Sequence, residues 1–312
     1  MEYKSKILVT GGNGFLGKHV IYELTRNGYQ NVIVPRSVEY DLRNREETKK
    51  MFGKHKPEVV IHLAANAGGI GYNRKHPAEL FEDNLLMGTH LLKESRRSDV
   101  EKFVGIGTIC SYPKHTPVPF KEEDLWNGYP EETNAPYGLA KKMLLVQSQA
   151  YRDQFDFNAI HLLPVNLYGP HDRGFSEEER AHVIPDMIRK FLAAKRNYTP
   201  SVILFGDGSP TREFLYVEDA AEGIVSAMEK YNGRDPANLG SGTEISIKNL
   251  AHKIRDAVKY IGEIEWDTSK PNGQPRRCLD TTRAEREFGF RAKTDFDEGL
   301  EKTVRWYMEQ TI

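Results

Sequence analysis

Cysteine is scarce in this 312-residue chain, which contains only Cys110 and Cys278. Two isolated thiols provide neither a disulfide framework nor a CxxC cluster, so no metal site is expected. No apolar run reaches the roughly 18–20 residues that span a bilayer. The opening MEYKSKILVTGG leads from charged residues directly into a strand, so no secretory signal is expected. Two reduced thiols favour a cytoplasmic location.

An excess of charge of either sign is also missing. The chain has 44 Lys and Arg against 45 Asp and Glu, a formal net charge of -1. This balance argues against nucleic acid or a membrane surface as a partner. A hydrophobic content of 38% is sufficient for a substantial core. The length corresponds to about two domains.

Short β-branched runs alternate with helical patterns through the first half of the chain. Near-continuous Val and Ile content is typical of parallel strands that are covered on both faces. Strands are expected at residues 6–10, 31–35, 59–63, 102–106 and 158–163. Helices are expected at residues 14–27, 44–54, 77–98 and 136–155. The alternation predicts an α/β fold with a doubly wound parallel sheet.

The alternation stops at the loop LPVNLYGPHDRG, which begins at Leu163. Beyond it we expect a helix at 182–195, a strand at 201–205, and helices near 246–259 and 295–310. Residues 214–217, a helix to about 230 and a strand at 237–239 are expected to return to the parallel sheet. We therefore predict a dinucleotide-binding domain of residues 1–165, with 214–240 returning to it. Residues 166–213 and 241–312 are predicted to form a smaller, mixed α/β substrate domain.

A glycine-rich loop, TGGNGFLG, joins the first expected strand to the first helix. Gly11 permits a tight turn, Gly14 allows the backbone to approach a pyrophosphate, and Gly17 allows close helix–strand packing. The helix N-terminus then presents partial positive charge to the phosphates. A glycine pattern alone often marks only a turn. The strand–loop–helix context here predicts dinucleotide binding.

The end of the second strand distinguishes NADP from NAD. An acidic residue there would hydrogen-bond the ribose 2′-hydroxyl of NAD, whereas this chain has Pro35, Arg36 and Ser37. A guanidinium at this point suits the 2′-phosphate of NADP; the alternative is a solvated surface arginine. Asp41 is a candidate either for contact with the adenine or for capping the next helix.

The segment APYGLAKK places Tyr137 and Lys141 four residues apart, on one face of a helix. An isolated tyrosine has a pKa near ~10, too high for easy proton exchange at neutral pH. A neighbouring ammonium is expected to lower it. The hydroxyl of Thr108, after the fourth strand, is placed to share a carbonyl oxygen with Tyr137. Most YxxxK pairs lie on helix surfaces, but the glycine loop and Thr108 together favour a catalytic group.

Several segments, from the glycine loop to the C-terminal helix, carry a resemblance to a known family. The most specific are CSYPK, NAPYGLAK, PVNLYGPHD, HVIPDMIRKF, GDGSPTREFLYVED and SKPNGQPRR. The chain resembles the extended short-chain dehydrogenases/reductases and, among them, the GDP-L-fucose synthases. The resemblance implies a Rossmann domain, NADP(H) as cofactor, and a homodimer. The implied reaction is the 3,5-epimerisation and 4-reduction of GDP-4-keto-6-deoxy-D-mannose.

The resemblance also implies catalytic roles. The family's Ser/Thr–Tyr–Lys triad falls on Thr108, Tyr137 and Lys141, with threonine where serine is common. Its epimerisation pair falls on Cys110 and His182. A thiolate suits removal of a proton beside a ketone, and histidine exchanges its proton near neutral pH.

Both members of the pair also have ordinary interpretations. Free cysteine usually behaves as a small buried hydrophobe, an interpretation that we keep for Cys278. His182 would otherwise be a solvated residue at a helix N-terminus. The CSYP and HVIP contexts favour catalysis for Cys110 and His182.

The binding residues follow from the same resemblance. For NADP(H), the expected residues are Gly11, Asn13, Gly14, Phe15, Gly17, Arg36, Asp41, Leu63, Ala64, Ala65, Tyr137, Lys141, Pro164, Asn166, Leu167 and His182. For the GDP-sugar, they are Asn166, Arg189, Phe205, Arg212 and Lys270. Arg212 is the strongest candidate for the diphosphate. Arg189 and Lys270 are equally compatible with surface charges, and Phe205 with core packing.

Two rival functions remain. The same motifs would bind another GDP-4-keto sugar, such as a heptose or a dideoxy sugar, because they recognise GDP and a 4-keto group. A non-catalytic dinucleotide-binding regulator would share the fold. It would need neither the Tyr–Lys pair nor the proton-transfer pair, so it is disfavoured.

Overall fold

The computed structural model describes residues 2–172, 174, 180–270 and 272–310. Its main sheet contains β1 (Lys6–Thr10), β2 (Asn31–Ile33), β3 (Val59–His62), β4 (Lys102–Ile106), β5 (Ala159–Pro164) and β9 (Ala237–Leu239). All pairings in this sheet are parallel, in the order β2-β1-β3-β4-β5-β9. The winding reverses between β1 and β3, the point where ligands collect at the carboxyl edge of such sheets. The predicted α/β fold with a parallel sheet is confirmed.

Alternate residues of each central strand face opposite sides of this sheet. In β1, Ile7 and Val9 belong to one apolar core and Leu8 to another. Helices α1 (Phe15–Arg26) and α7 (Val217–Lys230) cover one side. Helices α2 (Arg45–His55), α4 (Pro77–Arg97) and α5 (Ala135–Phe155) cover the other. Coverage of both faces explains why the strands are continuously apolar.

Polar caps and proline determine where several helices begin. The Asn44 side chain accepts from the backbone N–H groups of Glu46 and Glu47 at the start of α2. Pro77 occupies the first turn of α4, where its missing N–H costs nothing. The short α3 (Ile70–Lys75) precedes it. These signals are local, which is why the sequence predicts the starts of α2 and α4 to within a residue.

The remaining elements surround a separate apolar core. The strands are β6 (Asn166–Tyr168), β7 (Ser201–Phe205), β8 (Thr211–Tyr216), β10 (Glu244–Ser246) and β11 (Glu263–Asp267). They form a three-stranded sheet in the order β10-β8-β6 and a separate parallel pair, β11 with β7. The helices around this core are α6 (Val183–Arg196), α8 (Ile247–Val258) and α10 (Phe296–Glu309). Residues of α6, α8 and α10 build this core. Helix α9 (Thr282–Phe288) is the exception, since its Ala284 and Phe288 belong to the core of the parallel sheet.

The expected return of residues 214–217 to the parallel sheet is wrong. Strand β8 pairs with β10 and β6 instead, while α7 and β9 do return. Leu215 faces the core of the parallel sheet, and Phe214 and Tyr216 face the second core. Strand β8 is therefore shared by both cores, and its side-chain alternation, not its apolarity, shows this. The two-domain division remains a prediction.

Within the described ranges, no helix is both long and apolar enough to cross a membrane. The same residues contain no group of three or more His, Cys, Asp or Glu side chains arranged to hold a metal ion.

Candidate active site

The glycine loop forms a tight backbone cradle between β1 and α1. Gly11 adopts a φ of +72°, and its carbonyl accepts from the N–H of Gly14 at 2.9 Å. A Cβ on Gly11 would lie 2.6 Å from the backbone nitrogen of Ala64, and one on Gly17 would lie 2.2 Å from the oxygen of Gly11. Helix α1 begins at Phe15 without a side-chain cap. Its first N–H groups are therefore directed at the space where a pyrophosphate would bind.

The expected residues at the adenine end lie on the segment after β2. Arg36 is exposed there, as a ligand for a 2′-phosphate requires. The carboxylate of Asp41 accepts from Nε of Arg43 at 2.9 Å, and this ion pair lowers the pKa of Asp41. The cap of α2 is Asn44, so the capping alternative for Asp41 is wrong. Contact of Asp41 with adenine remains a prediction.

Two further expected groups lie at the carboxyl edge of the sheet. Leu63, Ala64 and Ala65 follow β3, where Ala64 contacts Gly11. Pro164 ends β5, and Asn166 and Leu167 open β6. The chain thus leaves the parallel sheet at this point and enters the smaller one. Asn166 Nδ2 donates to the backbone oxygen of Glu213 at 3.2 Å.

Tyr137 and Cys110 are brought together by a backbone contact. Thr108 caps a short 3₁₀ turn, Ile109–Ser111, by accepting from the N–H of Cys110. A Cβ on Gly138 would lie 2.2 Å from the oxygen of Cys110, so only glycine allows α5 to approach this turn so closely. The hydroxyl of Ser111 donates to the oxygen of Gly138 at 2.8 Å. The first turn of α5 therefore places Tyr137 beside Thr108 and Cys110.

The expected lowering of the pKa of Tyr137 by Lys141 is wrong for this structure. Burial raises the pKa of Tyr137, and negative charge on Cys110 adds to the rise; only the Thr108 hydroxyl opposes it. Burial also lowers the pKa of Lys141 to about 8. Desolvation acts against the charged forms of both residues. At neutral pH the phenol keeps its proton.

Lys141 lies near two buried histidines, His62 and His161. Burial and the charge of Lys141 lower the pKa of His161 to about 3 and that of His62 well below its usual value. His62 Nδ1 is 2.9 Å from the hydroxyl of Thr10, at the end of β1. Both imidazoles are therefore neutral, and Lys141 carries the positive charge of this region.

A cationic residue that the sequence analysis missed contacts the thiol. Nη1 of Arg277 lies 3.8 Å from Sγ of Cys110, and Nε donates to the side chain of Gln274 at 2.7 Å. Cys110 is partly exposed and also packs against the core of the parallel sheet. Cys278 is buried, as expected for a packing residue. Arg277 lies in SKPNGQPRR, but two adjacent arginines give no signal as to which one faces inwards.

Arg212 lies next to this pair. Burial and the neighbouring charge of Arg277 lower the pKa of Arg212 to about 10, and Cys110 and Glu131 oppose that shift. The guanidinium of Arg212 remains charged at neutral pH. Two cations beside the thiol form an anion-binding surface that suits a diphosphate.

Phe205 is 64% exposed, so the core-packing interpretation is wrong. The ammonium groups of Lys190 and Lys270 lie 5.2 and 5.9 Å from its ring centre. Lys190 is a second residue that the sequence analysis missed. The expected Arg189 instead pairs with Asp186 at 2.8 Å. An exposed ring flanked by two cations suits a nucleobase.

His182 lies at the start of α6, as its cap residue, and is exposed. Its charge lowers the pKa of the buried Asp172, although burial raises that pKa by more. The role assigned to His182 remains a prediction.

Residues 7–240 match the model of the NAD dependent epimerase/dehydratase family. The chain belongs to this family. It is 39% identical to the GDP-L-fucose synthase of Sinorhizobium fredii, over 97% of this chain and 95% of the relative. The GDP-6-OMe-4-keto-L-xylo-heptose reductase of Campylobacter jejuni superposes with a TM-score of 0.94 at 26% identity, over 99% of both chains. The GDP-L-fucose synthetase of Naegleria fowleri bound to NADP gives 0.89 at 30% identity, over 100% of this chain and 96% of that one.

Membership of the epimerase/dehydratase family confirms the resemblance drawn from the motifs. The match begins at β1 and ends after β9, so it contains the glycine loop, the Thr108–Tyr137–Lys141 group and Cys110. The roles of individual residues remain predictions.

Proposed function

We propose that this protein synthesises GDP-L-fucose, epimerising C3 and C5 of GDP-4-keto-6-deoxy-D-mannose and reducing C4 with NADPH. The curated relatives with 31–39% identity that carry the name GDP-L-fucose synthase support this substrate. The observation that carries the proposal is the cluster of Thr108, Tyr137, Cys110 and Arg277. The Thr108 hydroxyl and the charge of Cys110 both act on Tyr137, and Arg277 contacts the Cys110 sulfur. Such a cluster suits an enzyme that both exchanges protons and reduces a ketone.

The residues present fit NADP(H). The glycine cradle leaves no room for a Cβ at Gly11 or Gly17, and α1 directs its N-terminus at the pyrophosphate position. Arg36 would bind the 2′-phosphate. When bound, NADPH supplies the hydride that reduces C4. Lys141 would bind the ribose of the nicotinamide half, since it lies one helical turn after Tyr137 on α5.

In the epimerisation step, the thiolate of Cys110 would remove the proton from the carbon beside the ketone and become a thiol. The electron pair of the broken C–H bond moves to the ketone oxygen, where Tyr137 and Thr108 donate hydrogen bonds to the enolate. His182, as an imidazolium, would then return a proton to the opposite face and become neutral. Solvent restores both groups. Nη1 of Arg277, 3.8 Å from Sγ, would make a charge-assisted contact with the sulfur.

In the reduction step, Tyr137 would donate its phenolic proton to the C4 oxygen as the hydride arrives. The raised pKa of Tyr137 keeps that proton in place at neutral pH. The same hydroxyl would therefore serve both steps, first as a hydrogen-bond donor and then as an acid. Arg212 would bind the diphosphate, and Phe205 with Lys190 and Lys270 would bind the guanine.

Two further properties belong to the same proposal. A homodimer is supported by apolar side chains on the outer faces of α4 and α5, where Phe81, Met143 and Val146 are exposed. A cytoplasmic location is supported by the need of Cys110 for a reducing environment.

The proposal is tested by product NMR in D₂O with NADPH and GDP-4-keto-6-deoxy-D-mannose. The expected result is GDP-L-fucose with deuterium at C3 and C5. Tyr137→Phe should slow reduction far more than exchange, by about 10²-fold or more. Cys110→Ser should suppress exchange, whereas Cys278→Ser, at the buried thiol, should retain it. Full deuterium incorporation by Cys110→Ser would remove this thiol from the mechanism.

A second candidate substrate is a GDP-4-keto-heptose. The TM-score of 0.94 to a heptose reductase exceeds that of 0.89 to the NADP-bound fucose synthetase. Comparing kcat/KM for 4-keto-6-deoxy-hexose and 4-keto-heptose derivatives of GDP decides between them. A preference for the heptose of more than tenfold would replace the first proposal.

A further inference from the structure

Arg180 connects the segment that precedes α6 to the loop between β3 and α4. It lies two residues before His182 in the sequence. Nη1 donates to Oδ1 of Asn66 and to the backbone oxygen of Ala67, both at 3.2 Å. Nη2 donates to the hydroxyl of Tyr72 at 2.5 Å, and the guanidinium carbon lies 4.0 Å from the Tyr72 ring centre. The side chain therefore binds the loop between β3 and α4.

Backbone contact reinforces this binding. The N–H of Gly69 donates to the backbone oxygen of Arg180 at 3.1 Å. A Cβ on Gly69 would lie 2.2 Å from the oxygen of Ala181, so only glycine permits this approach. Residues 180–181 are consequently held from two sides, by the guanidinium and by the main chain. His182 follows directly.

The loop that Arg180 binds is itself anchored. Asn66 Nδ2 donates to Asp83 at 2.9 Å, and Asn84 on α4 donates to the backbone oxygen of Asn66 at 2.8 Å. Tyr72 and Asn84 are buried. Arg180 therefore attaches to a loop that is itself hydrogen-bonded to α4.

The same loop also contacts the start of α5. Asn73 Nδ2 donates to Oδ1 of Asn134 at 2.9 Å, and both side chains are buried. Asn134 occupies the N-cap position of α5, without a side-chain cap hydrogen bond, and lies three residues before Tyr137. Residues 66–73 thus contact the chain just before Tyr137 on one side and just before His182 on the other.

We propose that Arg180 is a positioning residue that sets the location of His182 relative to Tyr137 during proton delivery. This inference rests on the proposed function. Tyr137 is held by α5 whether or not Arg180 is present, whereas His182 is an exposed residue at the first turn of α6. Loss of the guanidinium should therefore displace the acid and leave the reducing group in place. A misplacement of about 1 Å costs roughly 10²-fold in rate.

The test compares Arg180→Met with Arg196→Met, a matched change at an exposed arginine that ends α6. Two rates are measured for each variant. One is deuterium incorporation into GDP-4-keto-6-deoxy-D-mannose in D₂O. The other is the initial oxidation of GDP-L-fucose by NADP⁺, which needs hydride transfer but no epimerisation.

We expect Arg180→Met to lower deuterium incorporation by about 10- to 100-fold while oxidation stays within about twofold of the unaltered protein. Arg180→Lys should recover part of the loss, because an ammonium still reaches the Tyr72 ring. Tyr72→Phe should give a smaller loss. Arg196→Met should change neither rate. Equal loss of both rates in Arg180→Met, or unchanged incorporation, would overturn the proposal.

Amide hydrogen exchange separates this proposal from the function on which it rests. Arg180→Met should accelerate exchange of the amides of residues 181–186, and Arg196→Met should not. If the unaltered protein neither incorporates deuterium nor oxidises GDP-L-fucose, the proposed function fails. The amide exchange then still decides whether Arg180 holds the segment, and unchanged exchange would reject the contact.

Discussion

At the scale of single residues, the surroundings of Cys110 decide its chemistry. Its Sγ lies 3.8 Å from a guanidinium nitrogen of Arg277. A guanidinium at this distance can make a charge-assisted contact with the sulfur. The other cysteine, Cys278, follows Arg277 in the chain and is buried. The two cysteines are alike in the sequence, and only their neighbours separate them.

Replacing Arg277 by Met is expected to slow deuterium incorporation at C3 and C5 by about tenfold or more, because the charge-assisted contact with the sulfur is lost. Alkylation of Cys110 by iodoacetamide at neutral pH should slow in parallel. Arg276→Met provides the control, since Arg276 is exposed and pairs with Glu244. Equal behaviour of the two variants would exclude a role for Arg277 in activating the thiol.

Burying the positive charge of Lys141 lowers the free energy of unfolding. Burial lowers its pKa from 10.5 to about 8. Between these values the unfolded chain binds more protons than the folded one, so this residue makes stability rise with pH. Below pH 8 the full cost of burying the charge is present.

Lys141→Met should therefore raise the free energy of unfolding at pH 7 by about 3 kcal/mol, since each pKa unit is worth about 1.4 kcal/mol. The advantage should shrink from pH 8 towards pH 10.5, and reduction of the ketone should be lost. Denaturant unfolding at pH 7, 8.5 and 10 measures the gap. Lys49→Met, at an exposed lysine of α2, should show no such trend. If the difference in unfolding free energy between Lys141→Met and the unaltered protein does not change with pH, the lowered pKa of Lys141 is contradicted.

At the scale of elements, the contact between the glycine loop and α1 controls cofactor binding. A Cβ on Gly17 would lie 2.2 Å from the oxygen of Gly11 and 2.5 Å from Cα of Gly12. The helix can approach β1 only through glycine at this position. By contrast, a Cβ on Gly53, inside α2, meets nothing within 4 Å.

Gly17→Ala is expected to destabilise the protein by about 1–3 kcal/mol through overpacking and to weaken NADPH binding, because the loop must shift. Gly53→Ala should stabilise it by about 0.5–1 kcal/mol, as alanine loses less entropy in a helix. Thermal unfolding and NADPH titration measure both effects. Normal NADPH affinity in Gly17→Ala would show that this approach is not required.

The same scale shows where sequence patterns suffice. Strands β1, β4, β7 and β9 and most helices agree with the predicted bounds, because caps, proline and continuous apolar runs are local signals. Strands β6 and β10, which have three residues each, are absent from the sequence-based predictions. In β11, EIEWD, three of five residues are acidic. Such strands exist because a neighbouring strand pairs with them.

At the scale of the whole molecule, the outer faces of α4 and α5 are the surface proposed for the dimer. These helices pack against each other where Gly88 faces Leu144. Met143 and Val146 remain 36% and 40% exposed on the outside.

Val146→Glu should convert a dimer into monomers, because a carboxylate cannot be buried there without a partner. Ile261→Glu, at a residue that is 100% exposed, should leave the dimer intact. Size-exclusion chromatography with light scattering measures the mass of each. A monomeric unaltered protein would contradict the dimer proposal directly.

The amino-acid sequence by itself determined the parallel sheet, the glycine loop and the chain positions of Thr108, Tyr137 and Lys141, since each depends on neighbours a few residues away. Tertiary structure alone decided which arginine faces Cys110, that Phe205 is exposed, and that burial controls the pKa of Tyr137. These properties depend on segments more than a hundred residues apart, such as Cys110 and Arg277. Desolvation and long-range contact have no local pattern, so only the folded chain reveals them.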